Sequence, residues 1–157
     1  MPVFNLDEFA TRLAPNQRLI GLDLGAKAIG VALSDVSRLI ASPYGELRRK
    51  KLKENAAEIA AIAAREGAGG LIVGLPLSMD GTLGPAAQAA RDWAAALAEA
   101  TGLPVALWDE RLSTVAANRI MIEAADLSRR KRAQAVDRLA AAIILQAALD
   151  ALRAKRA

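Results

Sequence analysis

The sequence predicts an α/β protein in which helices pack on a mixed sheet. Three short apolar segments near the N-terminus have the spacing of strands joined by hairpins, and two later apolar segments alternate with alanine-rich segments of helical length. Hydrophobic residues make up 54% of the chain but aromatic residues only 3%, which favours small side chains on helices packed closely against a sheet.

Three strands are predicted first, at residues 18–24, 28–34 and about 39–47. Only residues 25–27 separate the first two, which predicts a hairpin. Residues 1–17 are interpreted as an N-terminal extension, with Asp7 as the cap of a short helix that ends before Pro15.

Helices and strands alternate after the third strand. Helices are predicted at 53–65, 85–101, 113–125 and 133–153, and strands at 70–75 and 104–108. Gly67 and Gly102 end the first two helices, Pro85 suits the first position of the second, and Ser113 caps the third. This order predicts one domain over residues 18–157, with a mixed sheet.

The composition excludes several classes of chemistry. The chain has no cysteine and no histidine, so disulfides, thiolate metal sites and histidine bases are absent. Any bound metal needs oxygen ligands, which points to Mg²⁺ or Mn²⁺. The net charge of +4 permits anionic partners. No apolar run has the length of a membrane span and the N-terminus does not resemble a signal peptide, so a cytoplasmic location is expected.

Asp23 is a single carboxylate within a strand that is otherwise apolar. It shares a strand face with Gly21, and the small residues Ala28, Gly30 and Ala32 share a face of the next strand. If these faces coincide, Asp23 has room beside it for a ligand, a metal or a helix. The alternative is an Asp satisfied by turn amides near Gly25.

Two further acids are candidates to join Asp23. Glu110, beside Asp109, ends the last predicted strand, at the edge where ligands usually bind in α/β sheets. Asp137 borders the apolar stripe of the last helix, although an acid is also favourable at a helix N-terminus. Converging carboxylates repel one another and need a cation or a shared proton, and two divalent ions about 3.5–4 Å apart suit phosphodiester hydrolysis.

Basic residues near these acids are candidates for binding phosphate. The candidates are Lys27, Arg111, Arg129, Arg130, Lys131 and Arg132. Arg119 also follows the Asp-Glu pair. A second basic run, at residues 48–51, is interpreted as a solvated connector, which remains an alternative for residues 129–132 as well.

Four motifs together resemble one known family. They read GLDLGAKAIGVALSD at 21–35, LIVGLPLSMDGT at 71–82, LWDERLST at 107–114 and VDRLAA at 136–141. In this order they resemble the YqgF/RuvX family, whose members are Holliday-junction-resolvase-like proteins assigned to maturation of the small-subunit ribosomal RNA precursor. The resemblance covers about residues 18–152.

The resemblance implies a ribonuclease-H-like fold with five strands, three antiparallel and two parallel, and helices on both faces. It also implies a nuclease that binds one or two Mg²⁺ or Mn²⁺ ions and matures the 5′ end of pre-16S rRNA, with pre-ribosomal particles as partners. Asp23, Glu110 and Asp137 correspond to the acidic triad, with Asp109 as second choice to Glu110. The 74–81 loop corresponds to a loop flanking the site.

Other functions remain open at the level of sequence. A DNA endonuclease of the Holliday-junction-resolvase type would use the same acids. A non-catalytic nucleic-acid-binding module of the same fold is possible, although all three acids are present. An actin-like or sugar-kinase ATPase would also place an Asp-x-Gly motif in a hairpin, but it needs two such domains.

Overall fold

The computed structural model describes residues 3–113 and 129–156, and the side chains of the last helix from Arg138 to Lys155. The predicted helix at 113–125 therefore lies outside the described residues beyond Ser113, and so does Arg119. Among the described helices, none is long and apolar enough to cross a membrane.

Six strands form one mixed sheet in the order β1-β6-β5-β2-β3-β4. β2, β3 and β4 are antiparallel neighbours, whereas β1, β6, β5 and β2 run parallel. The strands are β1 (Val3–Phe4), β2 (Arg18–Leu24), β3 (Ala28–Ser34), β4 (Ala41–Arg48), β5 (Ala68–Leu75) and β6 (Val105–Asp109). The predicted α/β class and mixed sheet are confirmed.

The predicted count of five strands is wrong by one. The additional strand, β1, lies within the segment interpreted as an N-terminal extension and pairs with β6 through Val3 and Val105. Two residues are too few to show the alternating pattern by which a strand is recognised in a sequence. The division of the chain at residue 18 stays a prediction.

Four helices are described, and the ends of two of them follow the predicted glycines. They are α1 (Leu6–Thr11), α2 (Leu52–Glu66), α3 (Pro85–Thr101) and α4 (Arg129–Arg156). Gly67 and Gly102 end α2 and α3 with φ of 71° and 73°, a left-handed conformation that glycine adopts without strain. Asn5, rather than the predicted Asp7, caps α1, because the Glu8 N–H donates to Asn5 Oδ1 at 2.9 Å.

The helices cover both faces of the sheet, as expected. Ile20 and Leu22 belong to the core that contains residues of α2 and α3, whereas Leu19 belongs to the core that contains α4 and Phe9 of α1. Because side chains alternate along a strand, Gly21 and Asp23 lie on the α4 face with Leu19. The register pairs Gly21 with Ala32 and Asp23 with Gly30, so the predicted small-residue faces do coincide.

The small face of β2 and β3 allows α4 to pack very close to the sheet. A Cβ atom added at Gly21 would lie 2.6 Å from Leu145 Cβ and 3.0 Å from the Ala141 carbonyl oxygen. Further along α4, Leu149 and Leu152 line a small cavity with Arg38 of the loop between β3 and β4, and Arg38 Nη1 donates to the Gln17 carbonyl just before β2 begins. The helix therefore runs antiparallel to β2, and its N-terminal part extends toward the end of β2 that carries Asp23.

We expect Gly21→Ala to lower the free energy of unfolding by about 1–3 kcal/mol, because the added methyl group overlaps Leu145 and the α4 backbone. Gly45→Ala in β4 is the matched control, since a Cβ there meets nothing within 4 Å, and it should change stability by less than about 1 kcal/mol. Urea denaturation measures both. Equal effects of the two substitutions would contradict the close packing of α4.

Candidate active site

The candidate site lies at the edge of the sheet where three parallel strands end. β2, β5 and β6 run in the same direction, with Leu22 paired to Val73 and Leu75 paired to Asp109. Asp23 near the end of β2 and Glu110 directly after β6 therefore lie at one edge. The loop that follows β5 begins at the same edge.

Glu110 begins a single turn of 3₁₀ helix, Glu110–Leu112, and its carboxylate lies between β5 and α4. A Cβ added at Gly74 would lie 3.0 Å from Glu110 Oε2 and 2.5 Å from Ile144 Cδ1 of α4. The absent side chain at Gly74 thus leaves the space that this carboxylate occupies. The sequence analysis assigned no role to Gly74, although a glycine inside a buried strand often marks a close approach.

The environment of Glu110 favours its protonated form. Burial contributes most, the negative charge of Asp23 comes next and that of Asp109 last, and together they raise the pKa of Glu110 to about 7. Asp23, which is half-buried, is thus near enough to repel Glu110. The structure brings these two predicted acids together.

Asp109, the second choice at this position, has a different partner. Its carboxylate accepts hydrogen bonds from Arg111 Nη2 at 2.7 Å and from Arg111 Nε at 3.0 Å, and it caps the 3₁₀ turn through the Arg111 N–H. The Arg111 guanidinium and its N–H hold the pKa of Asp109 below its usual range. Asp109 therefore orders the turn that carries Glu110.

Arg111 also connects this turn to the loop after β5. Its Nη1 atom donates to the Met79 carbonyl at 3.4 Å. In that loop the Thr82 N–H and hydroxyl donate to Asp80 Oδ1, and Gly81 has φ of 85°. The loop predicted to flank the site is thus a folded turn held against Arg111.

The other predicted site residues differ in how far the structure describes them. Lys27 is exposed in the turn between β2 and β3, three residues beyond the end of β2. Position 137 lies one helical turn before Ala141, on the part of α4 that extends toward the Asp23 end of the sheet. The Asp137 side chain and those of Arg129, Arg130, Lys131 and Arg132 lie outside the described residues.

The donor set at this edge fits a hard divalent cation. Asp23 and Glu110 supply carboxylate oxygens, which Mg²⁺ and Mn²⁺ prefer. Burial contributes most to the raised pKa of Glu110, and a cation would offset the repulsion from Asp23 that adds to it. Among the residues with described side chains, no group of three His, Cys, Asp or Glu is arranged to hold a metal. A third acid would have to come from residues outside that set.

The mixed sheet with helices on both faces and two neighbouring carboxylates at the strand ends is the arrangement expected of a nuclease with a ribonuclease-H-like fold. The RuvX family model, described as Holliday junction resolvase, matches residues 17–151. The chain belongs to the RuvX family.

Two relatives of known source support this assignment. A protein of Gluconacetobacter diazotrophicus is 62% identical over 151 residues, covering 96% of this chain and 98% of its own. A protein of Acidiphilium cryptum is 61% identical over 156 residues, covering 99% and 98%. Both carry the provisional name pre-16S rRNA nuclease. The predicted family and the predicted enzyme class, a nuclease, are confirmed.

A solved structure agrees with the fold. Thermus thermophilus RuvC in complex with a Holliday junction substrate matches with a TM-score of 0.57 and 15% sequence identity, covering 89% of this chain and 96% of that one. At this identity the likeness shows a common fold.

We expect the free energy of unfolding of the cation-free protein to fall as pH rises from about 4.5 to about 7. In this window the folded state holds a proton on Glu110 that the unfolded state has lost, so raising the pH favours unfolding. Thermal unfolding at several pH values measures the effect, and Glu110→Gln should remove it. Asp35, Asp80 and Asp109 do not interfere, because their lowered pKa values place them below this window. If the stability of the Glu110→Gln variant depended on pH as that of the wild type does, Glu110 would not be the group responsible.

We expect Gly74→Ala to destabilise the protein by about 1–3 kcal/mol, because the new methyl group overlaps Ile144 Cδ1 and crowds Glu110. Adding Ile144→Val removes that Cδ1 atom, so the double variant should recover part of the loss. A double-mutant cycle by chemical denaturation measures the coupling. Strictly additive effects would show that Gly74 and Ile144 do not share this space.

Proposed function

We propose that this protein is a metal-dependent nuclease that hydrolyses phosphodiester bonds in the maturation of the 5′ end of pre-16S rRNA. The observation that carries the proposal is the pair of carboxylates, Asp23 and Glu110, held at the same sheet edge. The two relatives that are 62% and 61% identical carry the name of that activity.

Asp23, Glu110 and Asp137 are the proposed catalytic and metal-binding residues. The antiparallel course of α4 over Gly21 supports including Asp137, because it directs position 137 toward Asp23. One or two Mg²⁺ or Mn²⁺ ions held there would supply activation of water and neutralisation of charge on the phosphate. No other residue type at this edge offers comparable ligands, since the chain lacks His and Cys.

The remaining groups at the edge position the two carboxylates. The Asp109–Arg111 pair fixes the 3₁₀ turn and so holds the backbone of Glu110. The absence of a side chain at Gly74 lets the Glu110 carboxylate lie over β5. Lys27, exposed beside the site, and the basic residues at 129–132 are proposed to contact the nucleic acid backbone through charge.

Cleavage of branched DNA is a second candidate function. It is favoured by the description of the matching family model, Holliday junction resolvase. The same carboxylates would serve either polymer, because both contain phosphodiesters. A comparison of the two substrates is therefore part of the test.

We expect Asp23→Asn, Glu110→Gln and Asp137→Asn each to lower the rate of cleavage by at least about a hundredfold. The assay offers a pre-16S rRNA fragment and a four-way DNA junction side by side, with Mg²⁺ or Mn²⁺. The product ends are then mapped. Cleavage of the RNA at its 5′ leader, with the junction intact, is the expected outcome.

Asp92→Asn on α3 is the matched control, since Asp92 is exposed and its carboxylate accepts a hydrogen bond from Gln88 at 2.9 Å, within the same helix. It should cleave at the wild-type rate, and all variants should keep the wild-type circular dichroism spectrum. Undiminished metal-dependent cleavage by pure Asp23→Asn protein would contradict the assignment of the active site. Binding of RNA with no cleavage of either substrate by the wild type would favour a non-catalytic module.

A further inference from the structure

A second group of positive charges lies beside the candidate site, in the segment that joins β4 to α2. We call residues 48–53 the basic segment. Its charged members are Arg48, Arg49, Lys50, Lys51 and Lys53, and all five are exposed. From the sequence, this stretch was interpreted as a solvated connector, but the structure shows where its backbone is held.

The backbone of the basic segment is fixed to the turn that follows Asp23. β3 and β4 pair as far as Ala28 and Arg48. Beyond that pair, the Arg49 N–H donates to the Lys27 carbonyl at 2.9 Å, and Arg49 Nη1 donates to the Gly25 carbonyl at 3.0 Å. These bonds place the basic segment against the β2–β3 turn, beside Lys27.

A buried asparagine holds the other side of the basic segment. Asn55, in the first turns of α2, is 0% exposed. Its Oδ1 accepts from the Lys50 N–H at 2.8 Å, and its Nδ2 donates to the Arg48 carbonyl at 3.0 Å and to Glu58 Oε1 at 2.9 Å. These hydrogen bonds satisfy the buried amide of Asn55 and hold the backbone of residues 48 to 50 in one conformation.

The basic segment begins on the same face of the sheet as Asp23. Asp23 pairs with Gly30, and Ala28, two residues before Gly30 in β3, pairs with Arg48. Paired residues share a face, so the Arg48 side chain leaves the sheet on the side of Asp23. Arg48 lies two strands away from Asp23 across the sheet and two residues further along it. The backbones of Asp23 and Arg48 are therefore roughly 12 Å apart.

Acidic neighbours neutralise only part of this charge. Lys50 Nζ lies 3.5 Å from Glu58 Oε2, and Glu46 and Glu54 flank the segment in sequence. Within the part of the chain that the structure describes, no salt bridge involves Lys27, Lys51 or Lys53. The N-terminus of α2, which begins at Leu52, adds further positive potential.

We propose that the basic segment, together with Lys27, binds the phosphate backbone of the nucleic acid on one side of the scissile bond. The proposal rests on the nuclease function proposed above. Because the Arg48 backbone lies roughly 12 Å from that of Asp23, these contacts would fall within a few nucleotides of the bond that is cut. The contact is made through charge and is independent of base sequence.

The test uses Lys51→Gln/Lys53→Gln in the full chain and measures binding to a pre-16S rRNA fragment in EDTA, so that no cleavage occurs. The dissociation constant is determined at several salt concentrations. We expect the variant to bind several-fold more weakly at low salt. The slope of log affinity against log salt should fall by about 1.4 to 1.8, because each lost phosphate contact removes about 0.7 to 0.9.

Arg91→Gln/Arg153→Gln is the matched control, because it removes two exposed positive charges from α3 and from the C-terminal part of α4. It should leave the slope unchanged. Loss of Lys51 and Lys53 should not lower the thermal midpoint, because it removes positive charge from a helix N-terminus, where it is unfavourable. Loss of Arg153 also removes its 3.0 Å ion pair with Asp150, so a small decrease in the midpoint is expected for the control.

An unchanged slope in the Lys variant, or an equal loss in both variants, would overturn the proposal, as would failure of the wild type to bind this RNA. These outcomes are distinguishable from failure of the nuclease function. If Lys51 and Lys53 contributed to salt-dependent binding but the wild type cleaved nothing, only the proposed nuclease function would be contradicted. If the wild type cleaved normally and the Lys variant kept the wild-type salt dependence of binding, only the proposed role of the basic segment would be contradicted.

Discussion

The close packing of α4 on the sheet is the constraint on which the candidate site depends. It is possible because β2 and β5 present glycine to this helix, at Gly21 beneath Leu145 and at Gly74 beneath Ile144. A larger residue at either position would displace the helix or the Glu110 carboxylate. The same absence of side chains that lets the helix approach leaves the space in which Glu110 meets Asp23.

Charge at the sheet edge is distributed unequally among three neighbouring acids. Asp109 is paired with Arg111, which lowers its pKa, whereas Glu110 is buried near Asp23, which raises its pKa to about 7. Adjacent residues of one turn thus differ in role because only one of them reaches a guanidinium. Glu110 instead lies over Gly74, close enough to Asp23 to be repelled by it, and a cation there would be stabilising.

Much of the fold was predictable from local patterns. β2, β3 and α3 were predicted with the bounds that the structure gives, because hairpin spacing, Pro85 and Gly102 mark their ends directly. β1 was missed, since a two-residue strand has no periodicity and exists only through its pairing with β6. The cap of α1 was assigned to Asp7 instead of Asn5, because a sequence offers several acceptable caps within two residues.

The sequence by itself determined which chemistry is available. Because the chain lacks His and Cys, any bound metal needs oxygen ligands, and Asp23, Glu110 and Asp137 are the candidates to supply them. It also determined that Gly21 is the neighbour of Asp23 on its strand face, whereas the pairing of Asp23 with Gly30 came from the register of the sheet. The tertiary structure alone decided that Glu110 lies near Asp23 and that residues 48–53 lie beside the β2–β3 turn. The physical reason is that these relations depend on contacts between segments distant in the chain, which local periodicity and spacing do not encode.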